Sequence, residues 1–169
     1  VELYGPDQGD SPYGVEFSAE NRKIYASVGA GIGGGGDSTI YQWDLESSDI
    51  PNSIEIIHQS TVFSAGALQL GLDKRIYRAQ IDFSVNFNVP FPNTGNFMGI
   101  INNPEETGSA TNYDETGILL DINGGFQNTS RIGLPPFIQS LFNSQIDIIQ
   151  NGISTTELKL CEGDSYTLI

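Results

Sequence analysis

The sequence predicts an all-β protein. Its β-branched and aromatic residues cluster in short runs of the length that is typical of strands. The 20 glycines and 8 prolines lie between these runs, which favours many tight turns over long helices. With 169 residues, the chain is long enough for one ordinary domain, or for a domain with part of another.

An internal repeat refines this prediction. Each copy consists of a short apolar strand, a charged turn and a strand that begins with Ile-Tyr. The first copy covers residues 14–27 and the second covers residues 67–79. This spacing is within the range of propeller blades, which repeat about every 40–50 residues. In the first copy, Val15 and Phe17 fall on one face of the strand and Glu16 on the other.

Each copy continues toward four strands. After the first copy, we predict a third strand over residues 38–45, a turn over 49–52 and a fourth strand over 53–58. Four antiparallel strands of this kind form one propeller blade. In the second copy, residues 82–99 are predicted to be an irregular surface insertion, and a third copy begins at residues 133–140.

Two regions follow from this pattern. Residues 1–142 are predicted to be β-propeller-type repeats, about two to three four-stranded blades of an incomplete propeller. Residues 143–169 are predicted to be a linker and the first strands of a β-sandwich domain, immunoglobulin-like or PKD-like. The last strand, residues 166–169, would have no partner within the chain, so we expect the natural protein to continue.

The charge limits the partners. A net charge of −14 and a pI near 4.1 make nucleic acid and anionic membrane surfaces unfavourable partners, because like charges repel. No apolar run reaches the roughly 18 residues of a membrane span. Clustered oxygen ligands leave calcium as the one cofactor to consider. The weak candidates are Asp121 and Asn123, with Asp7 and Asp10, which lie in glycine-containing turns unlike the twelve-residue calcium loop.

No catalytic residue and no cofactor-binding residue is predicted. The glycine-rich residues 29–36 are followed by Asp37 rather than by Lys and Ser, so a hairpin loop is favoured over a phosphate loop. His58 is the only histidine, and no Gly-x-Ser-x-Gly motif accompanies it. Cys161 is the only cysteine, so it is either a free thiol or pairs outside this chain.

Two further groups have a structural and a functional interpretation. Acidic residues in predicted turns are interpreted as solvated surface, with a glycosidase carboxylate pair as the alternative; they are Asp44, Glu46, Asp49, Glu105 and Glu106. Aromatic residues in predicted strands are interpreted as core; they are Tyr25, Tyr41, Trp43 and Tyr77. Two of them exposed side by side would instead form a platform on which carbohydrate stacks.

Several strings of the sequence are similar to those of a known family. They are SPYGVEFS at 11–18, IYQWDL at 40–45, ALQLG at 67–71, INNP at 101–104, GSA at 108–110 and GLPPFIQS at 133–140. They resemble the propeller-like ectodomains of large gliding-motility and type-nine-secretion proteins, which usually end in a type B sorting domain. The CEGDS string at 161–165 resembles the opening of the immunoglobulin-like or PKD-like domain that often follows. Thr111 stands where family members often have Cys.

The resemblance implies a function for the parent protein. It implies a non-catalytic structural or adhesive module of a large secreted bacterial surface protein, located outside the cell and linked to gliding motility or type-nine secretion. It implies no defined ligand. We expect the partners to be other domains of the parent chain or other surface proteins, with glycans as a further candidate. A carbohydrate-binding module is the alternative, and a propeller glycosidase is a third hypothesis.

Overall fold

The computed structural model describes part of the chain: residues 11–29, 38–81, 96–120, 130, 132–134, 148–150 and 153–155. Within these ranges the protein is all-β, with two four-stranded antiparallel sheets and almost no helix, which confirms the predicted class. The helical content there is limited to two short 3-10 turns, Pro51–Ser53 and Gly108–Thr111. Neither four-stranded sheet is closed on itself among the described strands.

Sheet A contains the first four strands in sequence order. They are β1 (Ser11–Phe17), β2 (Lys23–Gly29), β3 (Ser38–Asp44) and β4 (Glu55–Ser60). The observed β3 ends at Asp44, one residue before the end of the predicted third strand. The observed β4 begins two residues after the predicted start of the fourth strand, because Pro51–Ser53 forms a 3-10 turn before it.

Sheet B repeats this arrangement with the next four strands. They are β5 (Leu68–Leu70), β6 (Ile76–Arg78), β7 (Phe97–Ile101) and β8 (Tyr113–Leu119). The predicted insertion over residues 82–99 is wrong at its end, because Phe97 and Met98 pair with Leu119 and Ile118 as part of β7. Residues 82–95 of that insertion lie outside the described residues.

The strand register shows how the two sheets correspond. Across sheet A, one row of paired residues is Glu16, Tyr25, Gln42 and Glu55; across sheet B the matching row is Gln69, Tyr77, Ile100 and Asp114. We call these the tyrosine rows. The neighbouring isoleucine rows are Phe17, Ile24 and Trp43 in sheet A, and Leu70, Ile76 and Ile101 in sheet B. Adjacent rows point to opposite faces of a sheet.

The two sheets pack with unlike faces together. Tyr25 and Ile40 of sheet A form one apolar cluster with Leu68, Ile76 and Ile101 of sheet B. The tyrosine face of sheet A therefore meets the isoleucine face of sheet B. The first strands also approach each other: Glu16 Oε2 in β1 accepts a hydrogen bond from the Leu70 amide in β5, at 2.9 Å. This is a head-to-tail order, because the contacting faces are not equivalent.

A second apolar cluster occupies the isoleucine face of sheet A. It contains Ile24, Ala26, Val28, Tyr41 and Trp43, all of them buried. Every residue of β2 is buried, so this strand contributes to both clusters.

The chain divides into two compact units, Val1–Phe137 and Ile138–Ile169. In the second unit, β9 (Ile148–Gln150) and β10 (Ile153–Thr155) form a two-stranded antiparallel hairpin. The predicted boundary after residue 142 and the predicted sandwich domain stay predictions. The predicted third copy, residues 133–140, lies mostly outside the described residues, and no strand is present at 132–134.

Candidate functional site

Turns of both sheets line a cleft of about 490 Å³. The β1–β2 turn contributes Glu20, the β5–β6 turn contributes Asp73 and Lys74, and the β7–β8 connection contributes the remaining polar groups, which are Asn102, Asn103, Glu105 and Glu106. The repeat explains this placement, because the charged turns of the two copies fall at equivalent positions of sheets that pack against each other. The result is a polar and mainly acidic cleft.

Glu105 is anchored in the cleft through both of its carboxylate oxygens. One oxygen, Oε2, accepts a hydrogen bond from Ser18 Oγ at 2.9 Å and lies 3.4 Å from Arg22 Nε. The other, Oε1, accepts from the Glu20 amide at 2.7 Å. Glu105 therefore ties the β7–β8 connection of sheet B to the first turn of sheet A. The prediction of a solvated turn fits Glu106, which is exposed, but not Glu105.

Asp73, a second carboxylate of the cleft, is also hydrogen-bonded within its own sheet. It accepts hydrogen bonds from the Tyr77 hydroxyl at 2.7 Å and from Arg75 Nε at 2.6 Å. Partial desolvation by itself would raise the pKa of Asp73, but these hydrogen bonds outweigh it and hold the pKa below the usual range. The carboxylate is therefore ionised and acts as an acceptor for its own turn.

The cleft is suited to hydroxyl-rich or amide-bearing ligands more than to metals. Carboxylates and side-chain amides are the groups that orient such ligands by hydrogen bonds. Over the described part of the chain, no three His, Cys, Asp or Glu side chains are grouped so that they could hold a metal ion. The predicted calcium candidates Asp7, Asp10, Asp121 and Asn123 all lie outside the described residues.

Two residues of the tyrosine row of sheet A form hydrogen bonds with the β7–β8 connection of sheet B, which also lines the cleft. Tyr25 donates from its hydroxyl to the Pro104 carbonyl at 2.8 Å and accepts from Gln42 Nε2 at 2.6 Å. Gln42 also donates to the Glu106 carbonyl and accepts from the Gly108 amide. Burial raises the pKa of Tyr25 far above its ordinary value, so the phenol stays protonated.

A buried arginine lies at the same interface, and sequence reasoning did not identify it. Arg78 is fully buried. Its guanidinium donates to Ser38 Oγ, to the Ser64 carbonyl at 2.9 Å and to the Tyr113 hydroxyl at 3.1 Å. All of these partners are neutral, and Arg78 Nε has no hydrogen bond. The signal was present in the sequence, because Arg78 shares the period-2 face of buried Ile76.

His58 joins the same interface from β4. Its Nε2 lies 2.9 Å from Glu115 Oε1, and its ring lies 4.7 Å from the Tyr113 ring, centre to centre. The prediction was a structural or exposed histidine, and these contacts place it in a link between β4 and β8. Among the hydrogen bonds of the described residues, none joins a serine hydroxyl to His58.

The other three carboxylates that were predicted to lie in solvated turns, Asp44, Glu46 and Asp49, differ in their surroundings. Asp44 forms an ion pair with Lys23, whose Nζ lies 2.9 Å from Asp44 Oδ2 and whose side chain is buried. The hydrogen bond from Lys23, together with one from the Glu46 amide, lowers the pKa of Asp44. Glu46 and Asp49 are exposed. Asp44 is therefore partly structural, whereas the other two fit the predicted solvated surface.

The aromatic candidates are mostly core residues. Tyr25, Tyr41 and Trp43 are buried, as the sequence predicted. Tyr77 is half-buried, and the Arg75 guanidinium lies 5.8 Å from the centre of its ring. The condition for a stacking platform, two of these four rings exposed side by side, is not met.

Three other features complete the search for a site. Residues 30–36 of the glycine-rich stretch and Cys161 lie outside the described residues. Over the part of the chain that the structure covers, no helix is long and apolar enough to span a membrane.

Comparison with known proteins gives no assignment. No family model matches the chain. No curated protein and no solved structure matches it either.

Proposed function

We propose that the chain is a non-catalytic structural or adhesive module of a large, secreted bacterial surface protein, built from propeller-type blades. The observation that carries the proposal is the head-to-tail packing of two four-stranded sheets whose residue rows correspond position by position. Propeller blades stack in this way, each burying one face against the next. The resemblance of residues 11–140 to gliding-motility and type-nine-secretion ectodomains supports the extracellular location.

The reactive side chains support a non-catalytic role. His58 contacts Glu115 and Tyr113, and Glu105 binds groups of the first turn. A general acid or base must have an atom that can reach the substrate, whereas both oxygens of Glu105 are already bound to the protein. The partners of such a module are further domains of the parent chain or other surface proteins.

Location and catalysis are tested separately. Antibodies against the purified chain should label intact cells that express the natural protein; labelling only after permeabilisation would contradict the surface location. A panel of glycoside and ester substrates should show no turnover. Turnover that is lost in Glu105→Gln, Glu106→Gln or His58→Ala, and retained in the exposed control Glu46→Gln, would show that the chain is an enzyme.

A carbohydrate-binding module is the second candidate, and the cleft favours it. Its side-chain amides and carboxylates are the groups that bind sugar hydroxyls. A glycan array separates the two candidates. Binding that is lost in Asn103→Ala, a cleft substitution, and kept in Asn52→Ala, which is exposed on sheet A away from the lining, would favour the carbohydrate function.

A further inference from the structure

We draw no further inference here: the strongest candidate, the cluster of carboxylates in the cleft between the β1–β2 turn, the β5–β6 turn and the β7–β8 connection, belongs to the site already described, and none of the buried polar atoms that lack a hydrogen-bond partner among the described residues lies in its lining to identify a ligand.

Discussion

Tyr25 and Tyr77 occupy the same position of the repeat, but their hydroxyl groups lie in different surroundings. The Tyr25 hydroxyl is buried between the sheets, where it bonds Pro104 and Gln42. The Tyr77 hydroxyl bonds Asp73 in an exposed turn. The same residue type thus contributes differently to stability, because a lost bond is replaced by water only where water can reach.

This difference gives a matched pair of substitutions. Tyr25→Phe should lower the free energy of unfolding by about 1–3 kcal/mol, because it leaves the buried Pro104 carbonyl without a donor and removes one of the two acceptors of Gln42 Nε2. Tyr77→Phe should cost less than about 1 kcal/mol, because water replaces the exposed bond. Urea unfolding of both variants measures the two costs. Equal costs would contradict the burial of the Tyr25 hydroxyl between the two sheets.

Asp44 and Lys23 give a pH-dependent contribution. The pKa of Asp44 is lowered in the folded protein, mainly by its hydrogen bond with Lys23, so the stabilisation is present above the unfolded pKa of Asp, about 3.9. It is lost as the pH falls through the lower folded value. At neutral pH, Asp44→Asn should therefore cost about 1–2 kcal/mol, a value discounted because Asp44 is about a third exposed.

The measurement for Asp44 is thermal unfolding from pH 7 to pH 2. The Tm difference between the unmodified chain and Asp44→Asn should shrink below about pH 4. Glu46→Gln is the control, since it removes the same charge from an exposed position of the same turn. A difference that stays constant down to pH 2 would show that Asp44 acts through something other than its charge.

At the scale of elements, the repeat was largely predictable from sequence. The Ile-Tyr strands, the charged turns and the third strand of the first copy follow from alternation and turn residues, and they are present as β2, β6 and β3. The start of β8 was not predictable in the same way. Its residues Asp114 and Glu115 lack the apolar alternation of a strand, and pairing with β7 rather than local sequence forms it.

The candidate site was less predictable than the strands. Glu105 was expected in a solvated turn, and only the packing of one sheet against the other brings it to Ser18 and Arg22. Arg78 is a charged residue in a strand centre, and its neutral partners come from Ser38, Ser64 and Tyr113, far apart in sequence. Contacts between sheets are tertiary, so a local pattern does not encode them.

The approach of β1 to β5 gives a prediction about these two elements. A Cβ added at Gly14 would lie 2.5 Å from the Gly66 carbonyl oxygen and 2.7 Å from the Leu68 amide nitrogen, both of them backbone atoms. Gly14→Ala must therefore separate the two strands, and it should cost about 1–3 kcal/mol.

The matched control for Gly14 is Gly133→Ala. A Cβ at Gly133 meets no atom of the described residues within 4 Å, its two chain neighbours aside, so this substitution should change stability by less than about 0.5 kcal/mol. Thermal unfolding of both variants makes the comparison. Equal stability of Gly14→Ala and the unmodified chain would mean that β1 and β5 do not approach each other as closely as described.

At the scale of the whole molecule, sheets A and B depend on each other. Strands β2 and β3 are buried on both faces, and one of these faces is covered by sheet B. Hydrogen bonds donated by the Tyr25 hydroxyl and by Arg78, and one accepted by Glu105, all cross between the sheets or their connections. A sheet released from its neighbour would expose an apolar face and leave these polar groups unpaired, so neither is expected to persist alone.

Sheets A and B should therefore unfold in one cooperative transition. Trp43 fluorescence reports on sheet A, because Trp43 is the only tryptophan, and hydrogen exchange at the Ile76 and Ile100 amides reports on sheet B. In urea the two probes should give the same midpoint and the same slope. Arg78→Met should lower both midpoints together, because it removes the bonds that join β6 to Ser38 and Tyr113. If Arg78→Met lowers the midpoint of sheet B alone, the sheets are independent folding units, and the bonds between them contribute little to holding sheet A together.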